Sequence, residues 1–195
     1  MAAASSLSVV KIGGSLVSSP PRLRAVLASL AEGAEGRAVI VPGGGPFADA
    51  VRASQAKLGY SDALAHRLAL DAMGRMAEVF AEIEPRLAMV RSVEDAAARD
   101  GVCLWDPVAL RQGHPDLPER WDVTSDSLAL WLATALGAER CILIKSAPCP
   151  VDTPPDELAR LGLVDRAFPG FARSFRGAIA LRGPEPASGP QEAAA

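Results

Sequence analysis

Apolar residues run along this chain in two rhythms. The first is the short unbroken run bounded by glycine, proline or charge. It occurs as LSVVKI at 7–12, RAVIVP at 37–42, RLAMVRS at 86–92, VCLW at the head of 102–112, CILIKS at 141–146 and GAIALRG at 177–183. These runs are rich in Val, Ile and Leu, too short for helices, and apolar throughout rather than at alternate positions. They predict strands covered on both faces.

The second rhythm is helical. Leu23, Val26, Leu27 and Leu30 predict a helix over 21–30, with prolines in its first turn and Gly33 and Gly36 marking its exit. PFADAVRASQAKLG predicts another, stopped by Gly59. A long helix begins near Ser61 or Asp62 and carries Leu64, Leu68, Met73, Met76, Val79 and Phe80 mostly on one stripe. VEDAAARDG is a short helical turn. TSDSLALWLATALGA is a helix with Leu128, Leu132 and Leu136 in register. The charged, proline-rich 114–122 reads as loop, and 148–171 as irregular apart from one short helix near Asp156 to Leu161. The Pro/Ala/Gly segment 184–195 is expected to be disordered. Strand and helix alternate without an internal repeat, so the chain reads as one α/β domain over 1–183, with a mostly parallel sheet between helices. Right-handed crossovers gather the strand C-terminal ends on one edge, where ligands bind.

Composition narrows the choices. With 195 residues and 49% of them hydrophobic, one domain can build a substantial core. The net charge of −3 offers no basic face for a nucleic acid. The longest apolar stretches fall well short of a membrane span. Cys103, Cys141 and Cys149 form no CxxC pair and have only His66 and His114 beside them, so no metal site is expected. The odd cysteine count and the lack of a signal peptide point to a reducing, cytoplasmic setting.

Candidate chemistry lies at the strand ends. Lys11-Ile12-Gly13-Gly14-Ser15 closes the first strand, and Gly43-Gly44-Gly45 closes the second with a helix after it. Glycines there permit a tight turn, and they also bring backbone N–H groups close to an anion. The spacing is neither GxxxxGK[ST] nor GxGxxG, which excludes an ordinary P-loop and counts against a dinucleotide site. Thr124 or Ser125 can cap the helix after them, with Asp126 a favourable first-turn acid. Asp126 can also grip Lys11 and Lys145, the latter ending a buried strand and needing water, a partner or a ligand. His66, Arg67 and Arg75 on the long helix can attract a phosphate or simply be solvated. No paired carboxylates or GxSxG elbow suggest hydrolysis, whereas two lysines, two glycine turns and an organising acid suit phosphoryl transfer.

KIGGSL, VIVPGGGPF, DVTSDSLALWLATALGA and ILIKS, in that order, resemble the amino acid kinase superfamily over roughly 7–182. The resemblance implies a three-layer αβα sandwich and transfer of the γ-phosphate of ATP, with Mg2+ held mainly by the nucleotide's phosphates. It implies that Lys11, Asp126 and Lys145 are catalytic. Gly13, Gly14, Ser15 and Lys145 would bind ATP phosphates. Gly43, Gly44, Gly45, Arg67 and Thr124 would bind the phosphoryl acceptor. The acceptor would lie against the N-terminal part and ATP against the C-terminal part, in a homo-oligomer. The small size looks most like the compact members linked to methanofuran biosynthesis, whose acceptor is an aminomethylfuran-methyl phosphate. Acceptors such as UMP, isopentenyl phosphate or an amino acid derivative are the alternatives. The chain departs from the family where a DGVY…DP loop is usual: SAPCPVDTPPDELARLGLVDRAFPGF lacks its glycine and tyrosine, leaving Asp152 and Phe168 for part of that role. That departure keeps a non-catalytic, ligand-binding or scaffolding homologue in view.

Overall fold

The computed structural model describes residues 6–184, so the expected C-terminal tail lies almost wholly outside the described residues. Six strands form one sheet: β1 (Leu7–Ile12), β2 (Arg37–Pro42), β3 (Ala88–Val90), β4 (Val102–Trp105), β5 (Arg140–Ile144) and β6 (Ala178–Arg182). Their order is β3-β4-β2-β1-β5-β6, and every pairing is parallel. The helices are α1 (Pro20–Ala31), α2 (Gly45–Leu58), α3 (Asp62–Ile83), α4 (Val93–Ala98), α5 (Ser125–Ala135), α6 (Pro155–Arg160) and α7 (Phe168–Ser174). Short 3-10 turns cover Gly14–Ser18 and Pro107–Gln112.

Local chemistry accounts for the helix ends. Ser61 Oγ accepts from Leu64 N and caps α3. Gly59, at φ 70°, takes the left-handed conformation that closes α2, and its N–H donates to Gln55 O. The helix at 168–174 was not expected. Pro169 and Gly170 sit inside it, but proline is tolerated in a first turn, and Asp165 accepts from Phe168 N at 3.0 Å to start it.

The core divides by strand parity, because successive strand side chains point to opposite faces. On one face Leu7, Val9, Val39, Val41, Cys141 and Leu143 pack against α5 and α7. On the other Val10, Ile12, Ile40, Ile142 and Ile144 pack with α1 and α3 residues such as Leu27 and Phe80. This makes the three layers. Each fully buried aliphatic side chain contributes roughly 1.5–3 kcal/mol relative to an exposed one. The central strands β1, β2 and β5 are buried almost throughout, as their continuous apolar runs predict. The edge strand β6 is only partly covered. Parity also sets the chemistry. Lys11 follows Leu7 and Val9 onto the α5 face, and Lys145 follows Cys141 and Leu143 onto that same face.

Candidate active site

Three distant residues meet where β1, β5 and the start of α5 converge. Lys11 Nζ lies 2.9 Å from Asp126 Oδ1. Lys145 Nζ lies 2.7 Å from both Asp126 oxygens. The β1–β5 register pairs Lys11 with Leu143, so Lys145 emerges two residues further along, on the same side. All three are nearly buried. Burial pushes the Asp126 carboxyl up, but the two ammonium groups outweigh it and hold its pKa below the usual value. Lys145 is lowered to about 8, first by burial and then by the Lys11 charge, with Asp126 opposing both.

Beside this cluster the two glycine turns stack backbone against backbone. A Cβ on Gly14 would fall 2.6 Å from Gly45 Cα, and one on Gly43 would fall 3.1 Å from Gly14 Cα. Only glycine allows that approach. Gly13 N donates to Ile144 O and Gly43 N to Ile12 O, so these amides tie the turns to the strands. The amides of Gly14, Ser15, Gly44 and Gly45 have no acceptor among the described residues. The last two open α2, which has no side-chain cap, so its positive end faces a cavity. Ser15 Oγ lies 2.7 Å from Ser146 Oγ and links the β1 turn to the segment after β5.

The cavity has a volume of about 480 Å3. Lys11 and the glycine turns line one part. Arg52, His66, Met73, Trp121, Thr124 and Leu128 line the rest. Arg52 stacks over Trp121, 4.8 Å from the ring centroid, and pairs with Asp49 at 2.8 Å. Trp121 Nε1 donates to Gln55 Oε1.

Several expected site residues stand elsewhere. Arg67 does not line the cavity: its guanidinium bonds Glu119 at 2.6 Å. Its neighbour His66 faces inward instead, because one residue along a helix turns the side chain through about 100°. Gly13 shapes its turn but has spent its amide. Phe168 is completely buried in the core beneath α5, so its ring is not free to meet a nucleotide base. Asp152 stands in an exposed turn, in left-handed backbone at φ 52°. Thr124 lines the cavity, but neither its hydroxyl nor that of Ser125 caps α5.

Asp165 performs that capping from a distance, and sequence reasoning missed it. Its Oδ2 accepts from Thr124 N at 2.9 Å, Thr124 Oγ1 at 2.8 Å and Ser127 N at 3.0 Å. Its Oδ1 accepts from Ser127 Oγ and Phe168 N. One carboxylate thus joins the starts of α5 and α7 and sets the angle at which α5 delivers Asp126. Burial raises the Asp165 pKa, and hydrogen bonds from Ser127 oppose the rise. The available signal was an acid shortly before a proline that opens a helix.

The donors in this site suit the oxygens of a phosphate. Among the described residues no three His, Cys, Asp or Glu side chains gather as metal ligands. No helix among them is long and apolar enough to cross a membrane.

Residues 6–101 match the amino acid kinase family. The chain is 28% identical to the [5-(aminomethyl)furan-3-yl]methyl phosphate kinase of Methanocaldococcus jannaschii, over 184 aligned positions covering 86% of this chain and 83% of that one. Among solved structures it is similar to UMP kinase from Ureaplasma parvum, with a TM-score of 0.67, 12% identity, and coverage of 94% of this chain and 92% of that one. It is also similar to uridylate kinase from Archaeoglobus fulgidus, with a TM-score of 0.60, 17% identity, and coverage of 91% of each chain.

Proposed function

The chain belongs to the amino acid kinase superfamily and is a kinase, and from that premise we propose that it transfers the γ-phosphoryl group of ATP to a small phosphate monoester, giving a diphosphate. The acceptor we favour is an aminomethylfuran-methyl phosphate, in methanofuran-type cofactor synthesis. The observation that carries the reading is one carboxylate holding two lysines beside uncommitted glycine amides.

Phosphoryl transfer asks little covalent chemistry of a protein. It asks for alignment and for neutralisation of charge on the transferring oxygens. In this proposal Lys11 and Lys145 supply that neutralisation while Asp126 fixes their positions. Mg2+, carried by the nucleotide's phosphates, would neutralise further charge. The amides of Gly14 and Ser15 receive nucleotide phosphate oxygens. Those of Gly44 and Gly45, at the positive end of α2, receive the acceptor's phosphate. A phosphate oxygen is already an anion, so attack needs no general base. With Phe168 buried and Asp152 in an exposed turn, the nucleotide base has to be held by other parts of the C-terminal half.

The proposal extends to assembly and setting. Phe47, Leu58, Leu64 and Val79 are exposed large apolar side chains on α2 and α3, which suits a homo-oligomer joined there, and light scattering tests it. The three free thiols suit a reducing cytoplasm.

The deciding assay measures ADP release with [5-(aminomethyl)furan-3-yl]methyl phosphate, UMP, isopentenyl phosphate and acetylglutamate. The furan phosphate is expected to give the highest kcat/KM. Turnover confined to one of the others defeats the assignment.

A further inference from the structure

His66 is a side chain the phosphoryl-transfer account leaves unused. It sits in the first turns of α3, is only 5% exposed, and lines the same cavity as Lys11 and the glycine turns. Its Nδ1 lies 3.3 Å from Arg120 O. A carbonyl oxygen only accepts, so Nδ1 carries the proton of the neutral ring and Nε2 presents a lone pair. Burial lowers the imidazole pKa, and Arg67 lowers it further, against the raising effects of the Arg120 hydrogen bond and of Glu119. The ring is therefore neutral near pH 7.

Nε2 has no hydrogen-bond partner among the described residues. Nor is it sealed in: Ser8 Oγ is the one buried side-chain polar atom among them lacking both a partner and an opening. Nε2 thus keeps some exposure, and His66 lines the cavity together with the apolar residues Leu70, Met73 and Val123. Most other polar groups in the wall are already engaged. Ser15 pairs with Ser146, Ser18 donates to Ser15 O, Thr124 donates to Asp165, and Asp49 holds Arg52. Ser125 remains, but a hydroxyl donates as readily as it accepts. A bare lone pair in an apolar wall is costly to leave unsatisfied, and an ionised phosphate has no proton to offer it.

We propose that His66 determines acceptor specificity, its Nε2 selecting a phosphate monoester that carries an N–H or O–H donor, such as an aminomethyl group, away from the phosphate. This rests on the kinase reading above. The phosphate end meets Lys11 and the glycine amides, and the far end meets His66. An analogue without the donor leaves Nε2 unpaired, the arrangement by which polar pockets discriminate most sharply.

The test uses the full-length protein with Mg-ATP. It measures kcat and KM for [5-(aminomethyl)furan-3-yl]methyl phosphate, its hydroxymethyl counterpart and furan-3-ylmethyl phosphate, and records 15N NMR of the His66 ring. The wild type should show a KM lower by roughly 10- to 100-fold for a donor-bearing compound than for the bare furan. The two donor-bearing compounds distinguish amine from hydroxyl. His66→Phe keeps a ring of similar size without the lone pair, and should collapse that KM ratio toward one with the loss in KM rather than kcat. His66→Gln, which restores an acceptor at the reach of Nε2, should recover part of it. A ratio unchanged in His66→Phe overturns the inference. If the wild type turns over none of the furans, the acceptor assignment alone falls, and the NMR decides for His66. A protonated Nδ1 with bare Nε2 supports the inference, and the opposite tautomer overturns it.

Discussion

Replacing Asp126 with asparagine removes one charge without changing shape, and it strips two lysines of their shared counter-ion. Both lysine nitrogens lie within 3 Å of Asp126 Oδ1, so they stand at most about 5.6 Å apart. Two ammonium groups at roughly 5 Å repel by about 3 kcal/mol at an effective dielectric of 20. The carboxylate offsets that repulsion. Asparagine cannot, and its amide nitrogen would add a donor facing a donor. Lys145, already lowered to about 8, would then be lowered further or swing away. Losing one preorganised positive group at the transferring phosphoryl costs on the order of 100- to 1,000-fold in turnover. Breaking a buried ion pair from one side also costs roughly 3–5 kcal/mol of stability, or about 10 °C in Tm for a chain of this size. The two losses can be separated. The double variant Asp126→Asn/Lys145→Met removes the repulsion along with the carboxylate, so it should melt above Asp126→Asn alone while remaining inactive. ADP release and thermal unfolding on the wild type, both single variants and the double variant complete the cycle. Additive Tm changes, or Asp126→Asn with turnover within threefold of wild type, would refute the reasoning.

Neighbouring groups carry further expectations. Lys11→Ala should lower turnover by roughly 100-fold or more with a smaller loss of Tm than Asp126→Asn, because Asp126 keeps Lys145 as its counter-ion; equal losses of structure and rate would reject a direct role. Turnover should fall as pH rises through about 8, where Lys145 loses its proton, and a flat pH–rate profile to pH 9.5 would count against it. Since the folded pKa of Lys145 lies below the unfolded value, its contribution should make stability rise between about pH 8 and 10.5, which denaturant titrations across that window can measure. Gly14→Ala forces a Cβ against Gly45 backbone and should cost roughly 1–3 kcal/mol together with most activity. Gly170→Ala in α7 meets nothing and should be neutral or stabilising by up to about 1 kcal/mol, and both are read from unfolding curves.

The central strands were legible because burial on both faces leaves a plain mark, an unbroken apolar run. The meeting of Lys11, Asp126 and Lys145 was legible for a related reason: a charge ending such a run must find a partner. Arg67 and His66 were harder. They are adjacent on a helix, and only the packing of α3 decides which of them faces the cavity. Phe168 illustrates a limit of motif reasoning, since an aromatic residue expected near a nucleotide base is equally suited to the core under α5. Asp165 and α7 were missed together. The acid acts on Thr124 and Ser127, about forty residues earlier in the chain, and no local spacing records that hydrogen bonding.

Strand β1 lies between β2 and β5, and this position imposes an order on synthesis. Lys11 is made early relative to its partners: both its counter-ion and one whole edge of its strand are supplied by chain made more than a hundred residues later. A half-made polypeptide therefore has no charge-balanced cluster of Lys11, Asp126 and Lys145, and that cluster arrives whole with the closing strands rather than growing by degrees.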